Sequence, residues 1–326
     1  MKLPIYFFKG SPDKPSIIFI HGLGMDSLQW ISPSETRIFG GALPLSILTR
    51  KPPEFLILKE KPVALPEKFT TGNSVPLFTS LNDFREKGYT VITWNQTKPL
   101  SSIYHAVGEL KNVVRFANSL SDRGTIIIGN SRGGLIARKF IENCNEKIKA
   151  VISIATPHRG STIAKWVKHV SLITHVFKPF LKLFPERIEK ISRRLIDFLN
   201  SEAVKELLPD SPFIKSLKKI ENFNFFCIAG SNPALFNIYE WKLKKENDSF
   251  ILYPEKIFSF PQSIVSILTE KFIPPEWKYG DGLVSVESAL IDKNSDIFNL
   301  NHAEIIVNTE SRIHILNIVE RIESES

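Results

Sequence analysis

Gly124 to Glu142 reads G-T-I-I-I-G-N-S-R-G-G-L-I-A-R-K-F-I-E, and three local patterns follow one another in it. Thr125 to Ile128 is a β-branched run that suits a strand. Gly129 to Gly133, G-N-S-R-G, fits G-x-S-x-G, the pattern in which a strained turn pushes a serine hydroxyl out above a sheet. Leu135 to Glu142 is rich in helix formers. The order is strand, sharp turn, helix, with Ser131 at the apex. The flanking glycines suit a turn where strand and helix leave no room for a Cβ. A pentapeptide of this form also occurs by chance in ordinary βα turns, so the flanking chain has to decide its meaning.

Upstream, Ile5 to Phe8 and Ser16 to Ile20 read as strands separated by Gly10-Ser11-Pro12-Asp13, a run of turn formers. The second strand leads straight into His21-Gly22-Leu23-Gly24. From Ser32 to Val75 periodicity is lost and prolines gather, which reads as an insertion, 32–75, leaving the sheet. Its apolar segments, Leu43 to Leu48 and Phe55 to Leu58, fit an extra hairpin, the lining of an entrance, or a plain surface elaboration. Order returns with a helix over Pro76 to Lys87, closed by Gly88, and a strand over Tyr89 to Trp94. A helix capped by Ser101 or Ser102 then runs from Ile103 to Leu120.

Downstream, Ala150 to Ala155 is a continuous apolar run, as for a strand buried on both faces, and it ends in T-P-H-R-G-S. Residues 161–217 leave the sheet as helices: Trp166, Val170, Ile173 and Phe177 keep helical spacing, as do Ile188, Ile191, Leu195 and Phe198. Lysines and arginines from Lys165 to Arg194 make this region basic and amphipathic. Such helices suit either a cap whose apolar side covers a site or contact with anionic membrane, and the cap is the simpler expectation. Phe223 to Ala229 resumes the sheet; a second insertion, 234–277, precedes Gly280-Asp281-Gly282. Asp296 to Leu300 reads as the last strand, and Ser311 to Ile322 as a closing helix. Strand and helix alternation of this kind signals a parallel α/β sheet.

The 326 residues, 43% of them hydrophobic, suit one large α/β domain covering 1–326. The formal charge of +8 favours anionic surfaces, but no motif for nucleic acid is present. Two cysteines, Cys144 and Cys227, fit a reducing compartment. Met1 to Phe8 lacks the marks of a signal peptide, and no apolar run is long enough to span a bilayer. A soluble cytoplasmic protein, with at most peripheral membrane contact, is the expectation. Nothing in the sequence sets an oligomeric state.

A serine nucleophile needs a neighbouring base, and the base needs a carboxylate to orient it. On α/β sheets with a G-x-S-x-G turn their chain order is Ser, acid, His. His302 follows the last strand and is the expected base. His158 precedes every candidate carboxylate, which marks it as structural or pocket-lining; His314 sits among apolar residues of the closing helix. Asp281, between two glycines in a loop, is the expected acid over its rivals Asp292 and Asp296. The expected set is Ser131, Asp281 and His302.

The blocks I-I-F-I-H-G-L-G, I-I-I-G-N-S-R-G-G-L-I-A-R, V-I-S-I-A-T-P-H-R-G-S, G-D-G-L-V-S-V-E-S-A and N-H-A-E-I-I resemble the lipase branch of the α/β-hydrolase superfamily. The similar groups are bacterial triacylglycerol lipases and the lecithin-cholesterol acyltransferase and glycosylphosphatidylinositol inositol-deacylase types. The likeness covers roughly half the chain. It implies an α/β-hydrolase fold with a cap or lid, ester hydrolysis through an acyl-enzyme, and a lipid or small-molecule ester substrate. It also implies Leu23 and Arg132 as backbone donors of an oxyanion hole. Thioesterase, amidase or acyltransferase chemistry would use the same residues, and a non-catalytic lipid- or partner-binding protein is the alternative of another class. Two features depart from the pattern: Asn130 and Arg132 flank the serine where His and Met, Gln or Leu are common, and residues 32–75 are added. The Arg132 guanidinium is expected to make a structural salt bridge rather than steer an anionic headgroup. No cofactor is expected, and no calcium or zinc motif is present.

Overall fold

The computed structural model describes residues 3–38, 40–41, 43–64, 66–166, 194 and 197–325. Seven strands form the central sheet: β1 (Ile5–Phe8), β2 (Ser16–Ile20), β3 (Val91–Trp94), β4 (Thr125–Asn130), β5 (Ile148–Ile154), β6 (Phe225–Gly230) and β7 (Ser295–Phe298). Their spatial order is β1-β3-β2-β4-β5-β6-β7, with β1 antiparallel to β3 and every other pairing parallel. The β-branched runs fill both faces because alternate side chains point to opposite sides. Ile17, Phe19, Ile126, Ile128 and Ile152 join one apolar cluster, and Ile18, Ile20, Ile127 and Val151 the other. Each isoleucine among them is wholly buried, worth about 1.5 to 3 kcal/mol apiece.

Helices cover the two faces. Helix α1 (Ser80–Glu86) and helix α4 (Thr309–Ser324) close one, through Leu81, Phe84, Ile315 and Val319. Helix α2 (Ile103–Asn118) and helix α3 (Arg132–Ile141) close the other, through Leu110, Val114, Leu135 and Phe140. Ser102 caps α2 by accepting from the Tyr104 N–H. The fold is that of an α/β hydrolase, with the expected sheet and helices within a few residues of their sequence bounds.

Residues 32–75 do not form a hairpin of their own two apolar segments. Leu43–Pro44 pairs with Arg37–Ile38, and Leu56–Leu58 pairs instead with a strand almost two hundred residues later in the chain. That partner, Ser249–Phe260, forms a long hairpin with Phe236–Glu246, and Phe69–Thr70 completes a four-stranded antiparallel sheet. Leu45 and Leu48 are buried rather than spread on the surface. Of residues 161–217, helices Ile163–Trp166, Glu202–Glu206 and Pro212–Lys215 are described. The expected apolar rows at Val170, Ile173 and Phe177 and at Ile188, Ile191 and Leu195 lie outside the described residues. Among the described residues no helix is long and apolar enough to cross a membrane.

Candidate active site

Three connections at the carboxyl ends of the parallel strands meet over one cavity, the usual place for a site on such a sheet. β4 leads into Ser131, whose φ of 53° and ψ of −123° lie in a region that non-glycine residues avoid. Such strain costs about 1 to 3 kcal/mol. The surroundings hold it: the Ser131 N–H donates to the Ile154 carbonyl at 2.8 Å, and its own carbonyl accepts from the Gly134 N–H at 3.1 Å. A Cβ on Gly129 would meet the backbone of Gly133 and Gly134 at 2.6 Å, and one on Gly133 would meet the Ile20 carbonyl oxygen at 2.5 Å. Both glycines are therefore required by the close approach of strand and helix.

Asp281 and His302 come from the loops after the long hairpin and after β7. Asp281 is buried, and its Oδ1 accepts from the N–H groups of Val284 at 2.7 Å and Leu283 at 3.0 Å. Its Oδ2 is 2.8 Å from His302 Nδ1, and the His302 N–H donates to the Asp281 carbonyl at 3.0 Å. The carboxylate thus holds the proton on Nδ1 and leaves Nε2 as the acceptor. Asn301 braces this loop: its Nδ2 donates to the carbonyls of Leu48 at 2.9 Å and Ala234 at 3.0 Å.

Ser131 and His302 both line a cavity of about 120 Å³. Leu23 and Met25 line it from the loop after β2, Leu45 and Leu48 from residues 32–75, and Phe198 and Val204 from residues 161–217. Apart from Ser131, His302, Asn130 and Ser161, its walls are apolar. This suits a substrate with a greasy portion and one polar reacting group. The N–H of Arg132 opens helix α3, where the first turn has no carbonyl partners of its own. Among the described residues no group of three or more His, Cys, Asp or Glu side chains is placed to hold a metal ion.

The remaining candidates fall elsewhere. His158 is buried, with Nε2 3.0 Å from Ser153 Oγ and its ring edge-on to Phe225; burial pushes its pKa well below the usual value. It is structural and does not line the cavity. Asp296 pairs with His314 at 2.9 Å, and Asp292 accepts from the Asn294 N–H. Among the described residues the Arg132 guanidinium makes no salt bridge: it donates to Gln96 Oε1 at 2.8 Å and to the carbonyls of Pro99 at 3.3 Å and Ser101 at 2.5 Å. The side chain points into the protein toward neutral acceptors, and burial lowers its pKa to about 10 against the opposing pull of the nearby Glu206 and Glu109 charges.

Two contributors had no signal in the sequence. Gln29, one turn into the chain after the loop following β2, bonds both Gly22 and Asn130. Glu206, in the described part of residues 161–217, accepts from the Ile103 N–H at 2.7 Å and from Ser102 Oγ at 2.5 Å, fastening that segment to the start of α2. A carboxylate at a helix start is recognisable only when the two segments are known to meet.

A family model described as palmitoyl protein thioesterase matches residues 69–194. That span holds Ser131 but neither Leu23, Asp281 nor His302. A protein named triacylglycerol lipase 2, from Saccharomyces cerevisiae, is 26% identical over 247 residues, covering 72% of this chain and 70% of its own. Among solved structures, the mature Bacillus licheniformis lipase BlEst2 superposes with a TM-score of 0.54 at 16% identity, covering 96% of this chain and 98% of that one. A protein titled a putative non-heme bromoperoxidase, from Mycobacterium tuberculosis, gives 0.50 at 10% identity over 99% and 97%. At such identities the superpositions establish the fold alone. The chain is thus similar in sequence to a triacylglycerol lipase and to a thioesterase family model, and its fold is that of the α/β hydrolases.

Proposed function

We propose that this protein is a serine hydrolase that cleaves carboxylic esters of apolar acyl chains. One observation carries the reading: a histidine fixed by a buried aspartate and a serine on a strained strand-to-helix turn face the same apolar cavity. In this reading His302 Nε2 takes the proton of Ser131, and Oγ attacks the ester carbonyl. The N–H groups of Leu23 and Arg132 hold the negative oxygen of the tetrahedral intermediate, each contributing about 3 kcal/mol. His302 returns the proton to the leaving alcohol. Water, deprotonated by His302, then releases the acyl group and restores Ser131. Asp281 keeps the imidazole oriented and stabilises its charged form. One domain carries the chemistry, while Leu45 and Leu48 of residues 32–75 and Phe198 and Val204 of residues 161–217 shape the end that receives the acyl chain.

A series of p-nitrophenyl esters from acetyl to palmitoyl tests the substrate. Rates that rise with acyl length support the reading; fast cleavage of acetyl esters alone would replace it with a small-ester esterase. A second reading, thioester cleavage, is favoured by the family model that matches residues 69–194. Comparing palmitoyl thioester with palmitoyl oxygen ester at equal concentration separates the two, and no turnover of either would favour a binding role. Flotation with anionic vesicles at low and high salt tests membrane contact by the basic residues between Lys165 and Arg194.

A further inference from the structure

A backbone donor at Leu23 works only if the loop His21-Gly22-Leu23-Gly24 is held against the Ser131 turn, and two glycines give that loop little stiffness of its own. Gln29 supplies the hold. Its side chain is wholly buried; Oε1 accepts from the Gly22 N–H at 2.7 Å, and Nε2 donates to Asn130 Oδ1 at 2.7 Å. Asn130, also buried, donates its Nδ2 to the Ile154 carbonyl at 3.3 Å. One line of amides therefore ties the loop after β2 to the last residue of β4 and the end of β5. Each amide is oriented by its neighbours: the Gly22 N–H demands an acceptor, which turns the Gln29 donor toward Asn130, which turns the Asn130 donor toward Ile154. The fit is close, since a Cβ on Gly22 would lie 3.2 Å from Asn130 Oδ1 and 3.5 Å from Ser131 Cβ.

We infer that Gln29, acting through Asn130, is a positioning residue that sets the Leu23 N–H relative to the Ser131 hydroxyl before substrate arrives. Gln29 does not line the cavity, so its effect on turnover is exerted through the loop. The inference rests on the proposed oxyanion role of Leu23 and Arg132. It also accounts for an asparagine at position 130, since the side chain before the serine must carry both an acceptor for Gln29 and a donor for Ile154.

Comparison of wild type with Gln29→Met, Asn130→Leu and the double variant tests the inference. Gln29→Met is expected to lower kcat at least about tenfold with KM within about twofold, as for an interaction made in the transition state. An alkyl trifluoromethyl ketone, which forms a tetrahedral adduct on a serine, should weaken by the same factor, while a non-reactive ether analogue of the ester binds as before. The losses of the two single variants should not multiply in the double variant. Gln29→Glu, which keeps an acceptor for Gly22, should recover part of kcat, and it replaces Gln29→Met if the latter does not fold. A folded Gln29→Met with wild-type kcat, a loss seen equally in ether binding, or fully multiplicative losses would overturn the inference. Amide exchange of the peptide spanning His21 to Met25 separates this from the functional reading: Gln29→Met should speed it about tenfold even in a protein without esterase activity, and unchanged exchange would overturn the positioning role.

Discussion

Among the described residues are two histidine–aspartate pairs of nearly identical length, His302–Asp281 at 2.8 Å and His314–Asp296 at 2.9 Å, near opposite ends of β7. Their surroundings differ. The side chains of His302 and Asp281 are 7% and 1% exposed, and the carboxylate accepts two further backbone N–H groups. His314 and Asp296 are 31% and 48% exposed, with Phe298 edge-on to the imidazole. Only the first pair opens on the apolar cavity that also holds Ser131. Chemistry on such a pair depends on a low-dielectric setting and a nucleophile within reach, since water screens an exposed pair. The contrast teaches that the pair itself carries little functional information and its position at the strand end carries most of it.

The largest losses are expected at the proposed nucleophile and base. Ser131→Ala and His302→Ala are each expected to lower kcat by roughly 10⁴- to 10⁶-fold, and the double variant by no more than the worse single one, because the residues act as a unit. Initial rates on a long-chain p-nitrophenyl ester measure this. Asp281→Asn should follow with a loss of about 10⁴-fold, through the wrong imidazole tautomer. The matching change at the other pair, Asp296→Asn, should leave kcat within about twofold and stability within about 1 kcal/mol. Equal losses from the two substitutions would remove the distinction drawn between the pairs.

A smaller effect concerns acid stability. His21, behind the Leu23 loop, is buried neutral, with a pKa pushed down to about 4 chiefly by burial, and by the Arg132 guanidinium. The unfolded chain takes up its proton near pH 6.5, so between about pH 6.5 and 4 it binds more protons than the folded one. Stability is therefore full above the unfolded value and falls as pH drops toward 4, by about 3 kcal/mol from this group. Chemical denaturation of wild type and His21→Gln at neutral and acid pH measures it: the variant should lose less stability on acidification.

Much of the sheet was legible because its strands are buried on both faces and leave unbroken β-branched runs, as in Ile126 to Ile128. Ser131, Asp281 and His302 were nameable as candidates because each follows a strand in an order that the turn at Gly129 to Gly133 makes meaningful. The long hairpin was harder to see. Trp241-Lys242-Leu243-Lys244 alternates as a strand should, but Pro254 in its partner speaks against an inner strand. Pro254 pairs with Trp241 inside the hairpin, but on its other side Leu56–Leu58 pairs only with Phe250 to Leu252, so Pro254 lies at a locally open edge. Gln29 was invisible for another reason: its bond to Asn130 spans 101 residues, and a lone glutamine has no pattern. The direction of the Arg132 side chain likewise depends on carbonyls that only the folded loop after β3 brings together.

Covalent labelling with a long-chain fluorophosphonate, read by mass spectrometry, tests the central claim most directly. One adduct is expected, on Ser131, that disappears in Ser131→Ala, slows at least about 10³-fold in His302→Ala and persists in His314→Ala. No adduct on the wild-type protein, or an adduct on another serine, would contradict it.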